Sequence, residues 1–406
     1  MRGSGAPLVA DRRRGRRNQA VAVVMALGFL VVMGSDAVGP VLGLDARSMG
    51  ATATQIGLMF ASLYAVRFVI GPTVGRLSDR VGLRRMLAIN LVAGPLIPLA
   101  YLIAPTFGWL LAVQILNGVV SSAFSPIVMG YLGTIAERGK EGAVSGLYNT
   151  SVWIASSLGV LASGVIATRF GLHAPFVLFL VLSLAGTGVV FLLPDESGMR
   201  DDSRPARAAV PERRLGQVGT LRTWLRNPEI GVLLAANFAY YVNTAALFTF
   251  FPLFGVARGY SLAEVGLFLS LLGATASLLQ LFLGRLSDRV QTGWLLLAGA
   301  VLLSIGIGVL LLESSFAIAL PLACVIAVGL ALMQASVTKA GVVTGRRLDM
   351  GAFMGLFYSS QALGKMSGPV LSGLISSGGS SSLVFAPAAA LALSVSIAGT
   401  FVRGRR

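Results

Sequence analysis

The sequence predicts an all-α membrane protein of twelve transmembrane helices, arranged as two six-helix, pseudo-symmetric halves. Three observations carry this. Only 12% of the 406 residues are charged and 55% are hydrophobic. A soluble domain carries about 25% charged residues, so this chain has too little charge to coat a water-facing surface. The apolar runs are about 20 residues long, the length that crosses a bilayer. Finally, the heptapeptide Gly75-Arg76-Leu77-Ser78-Asp79-Arg80-Val81 recurs letter for letter as Gly284-Arg285-Leu286-Ser287-Asp288-Arg289-Val290. Each copy follows one apolar run and precedes another, and a duplicated turn of this kind marks two related halves.

Residues 1–18 form a basic arm with Arg12, Arg13, Arg14, Arg16 and Arg17. The arm and the run behind it could pass for a signal peptide. That run continues to Leu44, too long for a signal's apolar core, so it is read as a retained first span. The spans are expected at 19–44, 55–76, 84–105, 108–132, 142–166 and 173–193 in the first bundle (19–194). In the second bundle (229–402) they fall at 229–254, 262–284, 292–312, 316–338, 351–376 and 381–402, before a short tail, 403–406. Helix is the conformation that satisfies every backbone group within its own segment.

Lys and Arg set the orientation. The arm, the 76–85 and 138–140 loops, the 195–228 linker, the 285–289 loop, Arg346, Arg347 and the tail are basic. The opposite side carries only Arg47, Arg169 and Arg258. This asymmetry puts both termini in the cytoplasm, and the lean loops and short termini suggest a bacterial inner membrane. The linker begins polar, from Asp195 to Pro211. It then shows Leu215, Val218, Leu221 and Leu225 at helical spacing beside Trp224, either an amphipathic helix on the inner leaflet or an ordinary linker helix.

The repeat extends beyond the heptapeptide. At the same offset Ile56-Gly57-Leu58 falls on Val265-Gly266-Leu267, Gly146-Leu147-Tyr148 on Gly355-Leu356-Phe357, and Ser163-Gly164 on Ser372-Gly373. Upstream, Pro40 and Gly43 fall on Pro252 and Gly255 only with three more residues of offset. The first outer loop is therefore expected to differ in length between the halves.

Several functions are excluded. The net charge of +16 lies in the loops where topology places it, so no nucleic-acid partner is implied. One Cys (Cys324) and one His (His173) cannot build a zinc site and offer little for nucleophilic catalysis. The stretch from Gly133 to Lys140 has the wrong spacing for a phosphate-binding loop and runs into Glu141. No enzyme activity, metal or cofactor is expected.

Three ionisable residues fall deep in spans: Asp36, Arg67 and Lys365. Each costs about 2.5–3.5 kcal/mol at a helix centre, so each needs a compensating role. Asp36 lies about 12 Å and Arg67 about 18 Å from the outer helix ends at 1.5 Å per residue, a difference one extended Arg can cover. They are expected to pair, permanently or switchably, and to serve proton coupling; a static ion pair that fixes packing is the alternative. Lys365 has no evident partner. It would either meet a substrate's anionic or carbonyl group or snorkel.

The stretch Gly71-Pro72-Thr73-Val74-Gly75-Arg76-Leu77-Ser78-Asp79-Arg80-Val81-Gly82-Leu83-Arg84-Arg85, with its second copy, resembles the signature loop of the major facilitator superfamily. The resemblance covers essentially the whole chain. It implies six plus six helices, a central cavity and alternating access. It also implies a conformational latch of Gly75, Asp79, Arg80, Arg84, Gly284, Asp288 and Arg289. In it Asp79 would meet the start of the eleventh helix near Gly351, and Asp288 the start of the fifth near Gly142. A carboxylate suits such helix starts. Simple topogenic charge would explain the arginines but not a repeated Asp. Two departures stand out. The Gly-Pro pair frequent in the fifth helix of the family's antiporters is Gly159-Val160 here, whereas the eleventh helix has Gly368-Pro369. An Arg of the fourth helix is replaced by Gln114.

The substrate-binding candidates are Gln114, Asn117, Asn149, Asn237, Tyr241, Asn243, Gln334, Tyr358, Gln361 and Lys365, although polar groups in spans more often join helices than bind ligand. The expected function is proton-coupled export of small organic, amphipathic compounds by a monomer in a lipid bilayer, with protons and a small-molecule substrate as partners. A carrier for a specific anionic metabolite is the alternative, and a non-transporting receptor a weaker one.

Overall fold

The computed structural model describes residues 6–135, 141–193, 227–312, 315–348, 350–378 and 383–403. These form thirteen helices and no strand. The first six spans become α1 (Ala6–Ser48), α2 (Ala53–Val81), α3 (Leu83–Ala93) with α4 (Leu96–Leu102), α5 (Phe107–Ile135), α6 (Glu141–Phe170) and α7 (Ala174–Val190). The second six become α8 (Pro228–Ala257), α9 (Leu262–Arg289), α10 (Thr292–Leu312), α11 (Phe316–Arg347), α12 (Met350–Ser377) and α13 (Ala386–Arg403). Large apolar side chains such as Val69, Phe170, Phe191, Phe282 and Leu312 stay exposed, as a lipid-facing surface requires.

The first helix already begins within the basic arm, at Ala6, and two expectations need correction. The third span is not one helix but breaks at Gly94-Pro95. Pro95 has no N–H for the Leu91 carbonyl, and Thr187 Oγ1 donates to that carbonyl instead, at 2.7 Å. The loop after the first span, expected to differ, has the same length in both halves. Gly50 (φ 85°) and Gly259 (φ 87°) make equivalent turns in the left-handed region that glycine favours. The three-residue difference lies within the helices, between Pro40 and Ser48 against Pro252 and Ala257. The 195–226 part of the linker lies outside the described residues.

The repeat is visible in the caps. Thr52 Oγ1 accepts from Gln55 N at 3.2 Å, and Gln55 Oε1 accepts from Thr52 N at 2.8 Å. Ser261 and Glu264 repeat this reciprocal box at the start of α9 with the same distances, satisfying donors that a helix start leaves orphaned. The packing repeats as well. α1 packs on α6 and α7, α2 on α5, and α3 on α5 and α7; α8 packs on α12 and α13, α9 on α11, and α10 on α11 and α13.

The halves meet where α2 crosses α12, α6 crosses α9 and α1 touches α8. Four glycines allow the first two crossings. A Cβ on Gly57 would strike the Pro369 carbonyl, and one on Gly266 would approach the Val160 carbonyl. A Cβ on Gly164 would strike the Leu262 carbonyl, and one on Gly373 would come within 2.5 Å of the Ala53 carbonyl. Each contact has its counterpart in the other half. The Gly-Pro departure thus falls on a crossing point. Thr54 Oγ1 adds hydrogen bonds to Ser377 Oγ (2.9 Å) and the Gly373 carbonyl (3.3 Å). Gly57 is about 27 Å along α2 from Gly75 at 1.5 Å per residue. These contacts therefore close the end of the molecule away from the heptapeptides.

Candidate functional site

Polar side chains converge where the two halves face each other at mid-depth. Asp36 on α1 accepts a 2.5 Å hydrogen bond at Oδ2 from Ser156 Oγ on α6. Arg67 on α2 donates through Nε to Ser121 Oγ on α5 at 2.7 Å, and Ser121 passes its own hydrogen to the Asn117 carbonyl. The expected Asp36–Arg67 ion pair is not made in this conformation: each group takes a serine partner, although they remain within electrostatic reach. Both are half-buried and line a cavity of about 230 Å³ inside the first half.

Lys365 enters from the second half. Its Nζ lies 5.0 Å from the ring centre of Tyr241 on α8 and 5.6 Å from that of Tyr64 on α2. The Arg67 guanidinium carbon lies 5.9 Å from the same Tyr64 ring. Lys365 is therefore held between aromatic faces of the two halves, a favourable place for a desolvated cation, and is also within electrostatic reach of Asp36. Asp36 and Lys365 share a backbone feature. Each lies four residues before a proline within its helix, Pro40 and Pro369. The missing N–H leaves the carbonyl of each charged residue without its helical donor.

The other candidates divide. Gln114 is buried and accepts from Tyr101 OH; Asn117 donates to the same oxygen at 3.5 Å and lines the cavity. Asn237 donates to the Phe357 carbonyl (2.9 Å) and Ser360 Oγ (2.6 Å), joining α8 to α12. Asn243 donates to the Ala239 carbonyl (2.9 Å) and the Ala388 carbonyl (2.7 Å), joining α8 to α13. Gln334 accepts from Tyr240 OH at 2.9 Å and from Gln280 Nε2. Gln114, Asn237, Asn243 and Gln334 act as links between or within helices. Asn149 and Tyr358 are exposed, and Gln361 is half-buried one turn from Lys365. The side chains of Gly75, Asp79, Gly284, Asp288 and Arg289 lie outside the described residues, so the latch contacts do too; Arg80 is exposed and Arg84 half-buried. His173 places Nε2 3.4 Å from Asp45 Oδ1 at the end of the first half away from the heptapeptide.

Sequence reasoning missed Tyr64, Ser121 and Ser156. Tyr64 could have been found: it precedes Arg67 by one helical turn and shares its face. The serines carry no comparable signal.

The Major Facilitator Superfamily profile matches residues 24–345 and 233–406. An uncharacterized MFS-type transporter of Methanocaldococcus jannaschii is 22% identical over 361 residues, covering 89% of this chain and 92% of that protein. The class C tetracycline resistance protein of Escherichia coli is 25% identical over 368 residues, covering 88% and 89%. The crystal structure of a bacterial homolog of the human lysosomal transporter Spinster, inward-facing and unoccupied, aligns with a TM-score of 0.74 at 15% identity, covering 95% of each chain. The profile match, the twelve-span helical fold and its internal repeat together establish that this chain, a multi-pass membrane transporter, belongs to the Major Facilitator Superfamily.

Proposed function

We propose that the protein exports small organic, amphipathic compounds in exchange for protons. The observation that carries this reading is the placement of Asp36. It is a carboxylate at membrane depth, hydrogen-bonded between α1 and α6, and electrostatically coupled to Lys365 of the other half. An acid so placed is a functional site by default. Gaining or losing a proton changes its attraction for a group across the interface, which biases the two arrangements of the halves. Tyr64, Tyr241 and Lys365, with Gln361 and Asn117 nearby in sequence or space, are the proposed substrate contacts. The likeness to a tetracycline resistance protein supports export, and the basic heptapeptide end is read as cytoplasmic. On that orientation the conformation here faces inward. The heptapeptides, through Asp79 and Asp288, would latch the opposite conformation.

The test is accumulation of fluorescent dyes and antibiotics in efflux-deficient cells. Wild type should lower accumulation, and Asp36→Asn or a protonophore should abolish the effect. Wild-type protein that is inserted but changes nothing would sink broad export. Attention would then move to an anionic metabolite, a reading that Arg67 and Lys365 favour by outnumbering Asp36 at the centre.

A further inference from the structure

The hydrophobic core of the first half is in two pieces. One lies toward the heptapeptide and includes Leu27, Val74, Leu87, Ile127 and Val190. The other lies toward the outer loops and includes Leu42, Ile56, Ile97, Val113 and Phe176. The second half has one continuous core instead. Between the two pieces every span except the fifth, α6, lends a polar group or a break to the wall of one cavity. α1 gives Ser35 and Asp36, α2 gives Arg67, the α3–α4 junction gives Asn90 and Gly94, α5 gives Asn117 and Ser121, and α7 gives Ser183. All of them line the 230 Å³ cavity.

A polar layer of this kind costs stability, since it interrupts packing across the whole bundle. Water enters a cavity where it finds several polar partners, and here, between valine and phenylalanine side chains, it would find them at Ser35, Asp36, Asn90, Asn117, Ser121 and Ser183.

We infer that this cavity is a hydrated vestibule that delivers protons to Asp36 from inside the first half, apart from the route between the halves that substrate would take. The inference rests on the proton coupling proposed above. The step is a simple transfer: hydrated H⁺ in the vestibule binds the Asp36 carboxylate to give the carboxylic acid, which later returns the proton to water. The ionisable groups near Asp36 are Tyr64 and Arg67 from α2 and Lys365 from α12. α6 contributes Ser156, and α5 and α7 contribute Ser121 and Ser183. Separate routes would let substrates of differing size use the central space without blocking the proton.

The experiment uses the full chain in lipid and needs no substrate. Infrared difference spectroscopy after a pH jump resolves the carboxyl band of Asp36, identified by its loss in Asp36→Asn. Ser35→Leu and Val120→Phe fill the cavity and expel its water, and each should slow protonation about tenfold while the helical amide band stays unchanged. Ser125→Leu, in the same wall, replaces either variant if it fails to insert. Wild-type protonation rates in filled variants that retain the Asp36 band would overturn the vestibule alone. Absence of any band lost in Asp36→Asn would overturn the proton coupling and the vestibule with it.

Discussion

Lys365 of the second half holds its ammonium 5.6 Å from the ring centre of Tyr64 in the first half. Arg67 approaches the same ring to 5.9 Å. One aromatic ring therefore steadies two cations that would otherwise repel each other, and it does so across the seam that has to open during transport.

The ring, rather than the hydroxyl, should matter. Cation–π contacts are worth about 0.5–2 kcal/mol each. Tyr64→Leu should lower the initial transport rate about tenfold, whereas Tyr64→Phe should stay within about twofold. Equal rates for wild type and Tyr64→Leu would remove the ring from the site.

The closure away from the heptapeptides should depend on bare backbone contact. A Cβ on Gly164 would strike the Leu262 carbonyl, so Gly164→Val should hold that end apart. Cysteines replacing Thr54 and Ser377, whose hydroxyls are 2.9 Å apart, report closure when Cys324 is replaced by Ser. Cross-linking should be efficient in this background and fall about tenfold when Gly164→Val is added, a shift of about 1.4 kcal/mol in the conformational equilibrium. Undiminished cross-linking would mean that the helices can slide to accept the side chain.

Asn243 should prove structural. Its hydrogen bond to the Ala388 carbonyl joins α8 to α13, the other returns to Ala239 of its own helix, and interhelical hydrogen bonds in membranes average about 0.6 kcal/mol, reaching about 1.7 kcal/mol. Asn243→Ala should lower stability in detergent by about 0.6–1.7 kcal/mol and leave the substrate range unchanged. A changed substrate range at unchanged stability would return Asn243 to the binding site.

The matched capping boxes should contribute equally. Thr52→Ala and Ser261→Ala each remove one acceptor at a helix start, worth about 1 kcal/mol. Unfolding midpoints of the two variants should agree with each other. A large difference would show that the repeat in geometry is not a repeat in energy.

The spans were legible because bilayer thickness imposes a run length, and the halves because a heptapeptide was duplicated intact. The break at Gly94-Pro95 was hidden inside an apolar run that hydropathy reads as one segment. Only Thr187, ninety residues further on, shows how the freed carbonyl is satisfied. Asp36, Arg67 and Lys365 were legible because charge at membrane depth is costly. Their partners were not: a serine such as Ser156 looks the same whether it holds a carboxylate or bonds back to its own helix. The amides Gln114, Asn237 and Asn243 show the same limit. Their type announces a hydrogen bond, but only helix packing decides whether the partner is substrate or backbone.

The most direct measurement is proton movement on substrate addition. In everted membrane vesicles holding a pH gradient, dyes and antibiotics from the accumulation assay would be added while a fluorescent probe follows the gradient. With wild type, a transported compound should discharge the gradient, and with Asp36→Asn it should not. If Asp36→Asn discharges the gradient as wild type does, Asp36 does not carry the coupled proton and the account of this centre is wrong.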